Sequence, residues 1–257
     1  MEKILLPQPI PALQSRGAQT QTTSSGEPGH IASHPLATLT AHFDLGMTGQ
    51  QIPFFRRMVN EIIGAENDLF HNHDERGRVR YRYPLVQYKT LQRKAVLLGI
   101  GAEGFAAVQA FLDHPEFRAI RQSIGADDFL LSSLETDELH LHAQPVNTYR
   151  LHHWLALNDA NACRWRGERN MVARLRLLEG ALASHILKFC SAIHWQLPPH
   201  SLEVKLEDCC EHRVRFKDNP FTAFDIGFCT NISLPNLVGL GKAVSHGFGT
   251  VIPPNVP

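Results

Sequence analysis

The chain has 257 residues, 43% hydrophobic and 19% charged, a globular composition with enough apolar surface for one large domain or two small ones. Its 25 basic and 25 acidic side chains balance to a formal net charge of zero, which excludes nucleic-acid binding by bulk charge and leaves only a local basic patch for that role. Five cysteines without a Cys-x-x-Cys pair, no signal-peptide pattern and no apolar span of membrane length fit a reduced, cytoplasmic compartment.

Residues 1–35 are rich in Pro, Gln, Ser, Thr and Gly and too poor in apolar side chains to offset the entropy of ordering, so they read as a disordered leader. From Pro35 onward hydrophobic periodicity takes over. Leu36 to Phe43 alternates as a strand, Ile52 to Ile63 has helical spacing with Pro53 in its first turn, and Val79-Arg80-Tyr81-Arg82-Tyr83 alternates strictly as a strand. A strand from Ala95 to Ile100, a helix from Glu103 to Leu112 and a short strand from Leu139 to Leu141 complete a β-α-β-β-α-β order, the ferredoxin-like arrangement. Past a joint near Pro145 the outline repeats. It runs through a strand from Tyr149 to Leu157, one long helix from Glu168 to Cys190, strands Leu202–Leu206 and Arg213–Phe216, a strand from Phe221 to Cys229, a glycine-rich loop and a closing strand from Phe248 to Ile252. The expected fold is α+β, with tandem ferredoxin-like (RRM-type) domains at residues 36–145 and 146–257 and a C-terminal glycine-rich loop in the second.

Three local patterns carry chemistry. Gly239 to Gly249 places four glycines around Lys242, so its backbone can approach a polyanion or simply turn between strands. Between Arg76 and Lys94 lie seven basic residues and no acidic one, a basic stripe on a neutral protein. His71-Asn72-His73 sets two imidazoles two residues apart, which suits a proton acceptor and donor pair, a metal site repeated at His140-Leu141-His142, or plain surface histidines. Cys209-Cys210 with His212 has the donors for a soft metal, against a reading as two ordinary thiols at a strand end.

The segments Leu69-Phe70-His71-Asn72-His73, Tyr81 to Lys89, Leu98-Gly99-Ile100-Gly101, Trp154 to Asn158, Arg176 to Phe189 and Gly239 to Gly249 follow one another in a telling order. Together they resemble the CRISPR-associated (Cas) repeat-processing endoribonucleases of the subtype-b group, a RAMP-like family, over roughly Leu36 to Ile252. The resemblance implies an enzyme that binds the repeat of a precursor CRISPR RNA and cuts it without metal or other cofactor. His71 and His73 would then exchange protons with the attacking 2′-OH and the leaving oxygen, assisted by Tyr81 or Lys89. Lys89, Arg80 or Arg82 would meet charge on the scissile phosphate, and Gly239, Gly241, Lys242, Gly247 and Gly249 would contact RNA. Implied partners are the repeat RNA and other Cas proteins of an interference complex, with the chain a monomer or homodimer. This chain departs from the group in having His246 where the group's loop usually carries an arginine. A catalytically silent RNA-binding subunit and a His-rich metallohydrolase built on His71, His73, His140 and His142 are the alternatives.

Overall fold

In a computed structural model the structure describes residues 30–64, 69–70, 82–123, 130–217 and 219–253. The first half runs β1 (His30–Gly46), α1 (Ile52–Ile63), β2 (Val86–Leu91), β3 (Lys94–Ile100), α2 (Gly101–Asp113), α3 (Pro115–Ser123) and β4 (Leu130–His142). The second runs β5 (Asn147–Trp154), α4 (Asp159–Gly167), α5 (Met171–Ala192), β6 (Val204–Phe216), β7 (Asn219–Thr230) and β8 (Thr250–Ile252). Each half forms a four-stranded antiparallel sheet, ordered β2-β3-β1-β4 and β6-β7-β5-β8, so the first strand of each half lies between its third and fourth. These are tandem ferredoxin-like folds by strand order. Their crossovers differ: α1 in the first half answers to α4 and α5 in the second, and α2 with α3 has no α-helical counterpart. The crossover from β7 to β8 has no α-helix; it is the glycine-rich segment, with one 3-10 turn at Val244–His246.

Side-chain alternation explains how the halves join. On β1 and β3, Leu39, Ala41, Phe43, Ala95 and Leu97 point to a core that includes Phe55 and Val59 of α1 and Phe111 of α2. Leu36, Val96, Leu98 and Ile100 point the other way, into a cluster with Leu151, Trp154, Leu182, Ile186, Phe224 and Leu240. The two sheets therefore share a core instead of merely being tethered. Burial of that much apolar surface, at about 25 cal/mol per Å², is the main force fixing their relative placement.

Several elements depart from the sequence-based expectation. β1 starts at His30, because pairing with β4 continues to that residue; residues 1–29 of the expected leader lie outside the described residues. The second strand, β2, lies downstream of the alternating stretch at Val79–Tyr83. The first three residues of that stretch lie outside the described set, Arg82 is in a bend, and the ladder uses Val86–Leu91 against β3. The helix expected from Glu168 to Cys190 is α5, which starts at Met171 because Asn170 accepts backbone N–H groups as its N-cap; a helix that was not expected, α4, precedes it, with Asn158 as N-cap and Glu168 at its end. The two expected strands at 202–206 and 213–216 are one 13-residue β6, irregular between Leu206 and Asp208.

Candidate nucleic-acid interface

A cleft of about 1480 Å³ opens where the halves meet. Its walls are the start of β1, the Arg82–Leu85 approach to β2, the start of α2, the C-terminal end of α5, the tip of the β6–β7 hairpin and Gly241–His246. Among the described residues, Arg82, Lys188, Lys217 and Lys242 line it, against the single carboxylate of Glu103. On a chain of zero net charge that segregation is a local cationic surface, the footprint suited to a phosphate backbone. His34 stacks on Trp195 at one edge, with ring centroids 5.6 Å apart, and burial pulls its pKa below the ordinary histidine value.

The glycine-rich segment forms one wall, and its glycines are explained by packing. Gly241 has φ +103, and a Cβ there would stand 2.8 Å from the Trp154 indole. A Cβ on Gly239 would come within 2.6 Å of Val244, 2.7 Å of Gln87 Oε1 and 2.8 Å of Lys89 Nζ. The amides are used internally too. Gly239 N donates to Gln87 Oε1 at 2.9 Å, Leu240 N to Gly249 O at 2.7 Å, Gly247 N to Val244 O at 3.2 Å and Gly249 N to His153 O at 3.2 Å. Tyr83 Oη donates to Gly239 O at 2.8 Å and accepts from Gln87 Nε2 at 2.9 Å. With Lys242 N donating to Leu155 O and His246 N to Ala243 O as well, six of the loop's amides are used within the protein, and the segment braces β2 of the first sheet; its exposed cation is Lys242.

Two family models fit this frame: that described as the Cas6b N-terminal domain matches residues 34–129, and that described as the Cas6b C-terminal domain matches residues 141–253. The chain belongs to the Cas6b family. A solved structure described as Cas6b aligns with 86% of this Cas6b-family chain and 100% of its own, at 24% identity and TM-score 0.69. Another, described as the CRISPR RNA processing endoribonuclease Cas6b, aligns over the same shares at 22% identity and TM-score 0.62. At these identities the likeness speaks for the fold alone. An uncharacterized protein of Methanocaldococcus jannaschii is 32% identical over 99 residues, covering 38% of this chain; the chain spans 66% of that relative's length.

Of the residues singled out in the sequence, Arg82, Gly241 and Lys242 line the cleft, and Gly239, Gly247 and Gly249 stand in the brace beside it. His71, His73, Arg80 and Tyr81 lie outside the described residues. Of the residues bounding their segment, Arg82 lines the cleft and Phe70 is tied to its wall through Arg56. Phe70 is buried against Phe111, its carbonyl accepts from Arg56 Nη2 at 3.3 Å, and Arg56 Nη1 lies 3.1 Å from His246 Nε2 in the cleft wall. Arg56 was not singled out in the sequence, yet it brings a guanidinium beside His246. Burial, then Arg56 and Lys217, pull the His246 pKa down to about 4, so the ring is neutral near pH 7 and does not itself replace a loop arginine.

Lys89 is the clearest departure from expectation. It is 0% exposed, and Nζ donates to Val244 O at 3.4 Å beneath the loop, so with this backbone it cannot reach a phosphate in the cleft. Burial lowers its pKa from 10.5 to about 7. The unfolded chain keeps this proton up to about pH 10.5 while the folded chain releases it from about pH 7, so between those values folding becomes more favourable as pH rises. Lys89→Met is expected to lose that rise relative to the unaltered protein, as read by urea unfolding across the same pH window. Parallel stability profiles for the two proteins would show that the amine is not buried as described.

Sequence reasoning also passed over Gln87, whose burial has no local signal, and His185, which accepts from Trp154 Nε1 at 3.2 Å and whose pKa burial lowers to about 4. No helix among the described residues is long and apolar enough to cross a membrane.

Proposed function

We propose that this chain is a metal-independent endoribonuclease that binds the repeat of a precursor CRISPR RNA and cleaves it by attack of a ribose 2′-OH. The observation carrying this reading is the cationic cleft between the two halves of a Cas6b-family fold, with four basic side chains to one carboxylate among the described residues. The solved relative described as a CRISPR RNA processing endoribonuclease supports it as a fold precedent.

In this reading one of His71 and His73 takes the 2′-OH proton and the oxygen attacks the adjacent phosphorus. The bond to the 5′-oxygen of the next nucleotide breaks, and the second imidazole, or Tyr81, gives that oxygen a proton. The products are a 2′,3′-cyclic phosphate and a 5′-OH, and the proton gained by the base equals the one given up by the acid, so the pair of groups together keeps its number of protons. Arg82 and Lys242 hold the phosphate backbone in the cleft, and Arg80 adds charge to the segment that ends at Arg82. The loop glycines shape that wall, and Lys89 supports it from below. The reading divides the chain near residue 145, takes repeat RNA as the partner in a cytoplasmic setting, and leaves the product available to other Cas proteins of an interference complex from a monomer or homodimer.

The test is incubation of the purified protein with labelled repeat RNA in excess EDTA, beside the same RNA carrying one 2′-deoxy substitution at the cut site. Cleavage of the first alone is expected. Tight binding without cleavage of either RNA would identify a silent RNA-binding subunit, and cleavage only after divalent metal is restored would identify a metallohydrolase.

A further inference from the structure

The outer face of the second sheet gathers side chains that RNA cleavage does not use. His153 Nδ1 on β5 lies 3.0 Å from His212 Nε2 on β6. His212 Nδ1 lies 3.7 Å from Asp225 Oδ2 on β7, and His152 Nδ1 lies 3.8 Å from Asp225 Oδ1. One ligand atom from each of His153, His212 and Asp225 falls within 4.8 Å of the other two. None of the three lines the cleft.

The backbone is shaped to make this cluster. β5–β7 pairing shifts between Leu151 and Trp154, which leaves His152 and His153 as extra residues opposite the Asp225 region. His153 takes φ +50, a conformation a non-glycine side chain rarely adopts. Its backbone N–H donates to Asp225 Oδ1 at 2.6 Å, fixing the carboxylate. Across the sheet, β6 sets Cys210 directly opposite Asp225 and His212 two residues further along, on the same face by strand alternation.

We infer that His153, His212 and Asp225 bind one divalent transition-metal ion of the zinc class, joining β5, β6 and β7 at the surface of the second half. Two imidazoles and a carboxylate are the donor set such an ion takes. Two nitrogens on one tetrahedral zinc, each at about 2.0–2.1 Å from it, stand roughly 3.3 Å apart, close to the observed His153–His212 separation. The fourth position falls to His152 or to water. The ion is structural: it ties the irregular β5 edge to the long β6–β7 hairpin and takes no part in phosphodiester cleavage.

The experiment uses the full chain free of any affinity tag, dialysed against ZnCl2 and then metal-free buffer, with bound metal measured by mass spectrometry. The chain also carries His71, His73, His140 and His142, so His153→Asn and Asp225→Asn are the deciding variants. Asn tolerates the positive φ at 153, and both changes keep the side chains polar and near the original size. About one zinc per chain is expected in the unaltered protein, with affinity lowered about tenfold or more in each variant. Zinc should also raise the thermal midpoint of the unaltered protein but not of the variants, and EDTA should reverse the rise. Circular dichroism confirms that the variants are folded. If the unaltered protein binds no zinc above background, or the folded variants bind it as tightly, the site does not exist.

Discussion

Replacing His71 or His73 with alanine is expected to slow single-turnover cleavage of repeat RNA by about 10²–10⁴-fold, while repeat affinity stays within a few-fold. The two effects separate because proton transfer acts on the barrier and not on the ground-state complex. Their segment is bounded by Phe70 and Arg82: the first is held by Arg56, which reaches His246 in the cleft wall, and the second lines the cleft directly. Removing both imidazoles should cost less than the product of the single effects, since in the proposed mechanism the two act in one transition state. The readout is the first-order rate at saturating protein, with affinity measured on the 2′-deoxy substrate. A double alanine variant that cuts at the normal rate would remove these residues from the mechanism.

Gly249→Ala is expected to destabilise the fold by about 3 kcal/mol or more, in contrast to a change that only weakens RNA binding. Gly249 has φ +60, and its added Cβ would overlap the Leu240 carbonyl, a backbone atom that cannot rotate away. The Leu240 N to Gly249 O hydrogen bond, 2.7 Å, holds the two segments at that spacing. Gly180→Ala is the control: it sits in α5 with nothing within 4 Å of the added Cβ, and helix propensity predicts a gain of up to about 1 kcal/mol. Both are read by urea unfolding. A Gly249→Ala protein of unchanged stability and lowered RNA affinity would make the glycine an RNA contact and not part of the brace.

Much of the architecture was legible because its signals are local. Helix α1 keeps the bounds expected from its periodicity, with Pro53 at its start and Gly64 at φ +64 as its C-cap. What the sequence hid depends on distant chain. Strand β2 escaped notice because Val86 to Lys89 are all buried, Gln87 and Lys89 beneath the glycine-rich segment, so no alternation marks it. The alternating residues upstream, of which Val79 to Tyr81 lie outside the described residues, were the stronger pattern. In β6, the polar run from Glu207 to His212 looked like a break between strands, yet it is continuous strand on an exposed sheet face.

For the site, the basic stripe was only partly informative. Arg82 reaches the cleft, whereas Lys94 pairs with Asp44 at 2.7 Å on the far end of β3 and Lys89 is internal. The remaining cleft cations, Lys188, Lys217 and Lys242, come from α5, the β6–β7 turn and the loop, and no spacing in the sequence unites them.

The bond between Gly239 and Gln87 spans 152 residues. At a synthesis rate of about 5–20 residues per second, β2 emerges roughly 8–30 s before the segment that covers it. During that interval Gln87 and Lys89 face water and the apolar side of β3 lacks its partner from the second half. The nascent first half is therefore exposed to chaperones and proteases for longer than its size suggests, and slower codons between α5 and β7 would lower yield without changing a single residue.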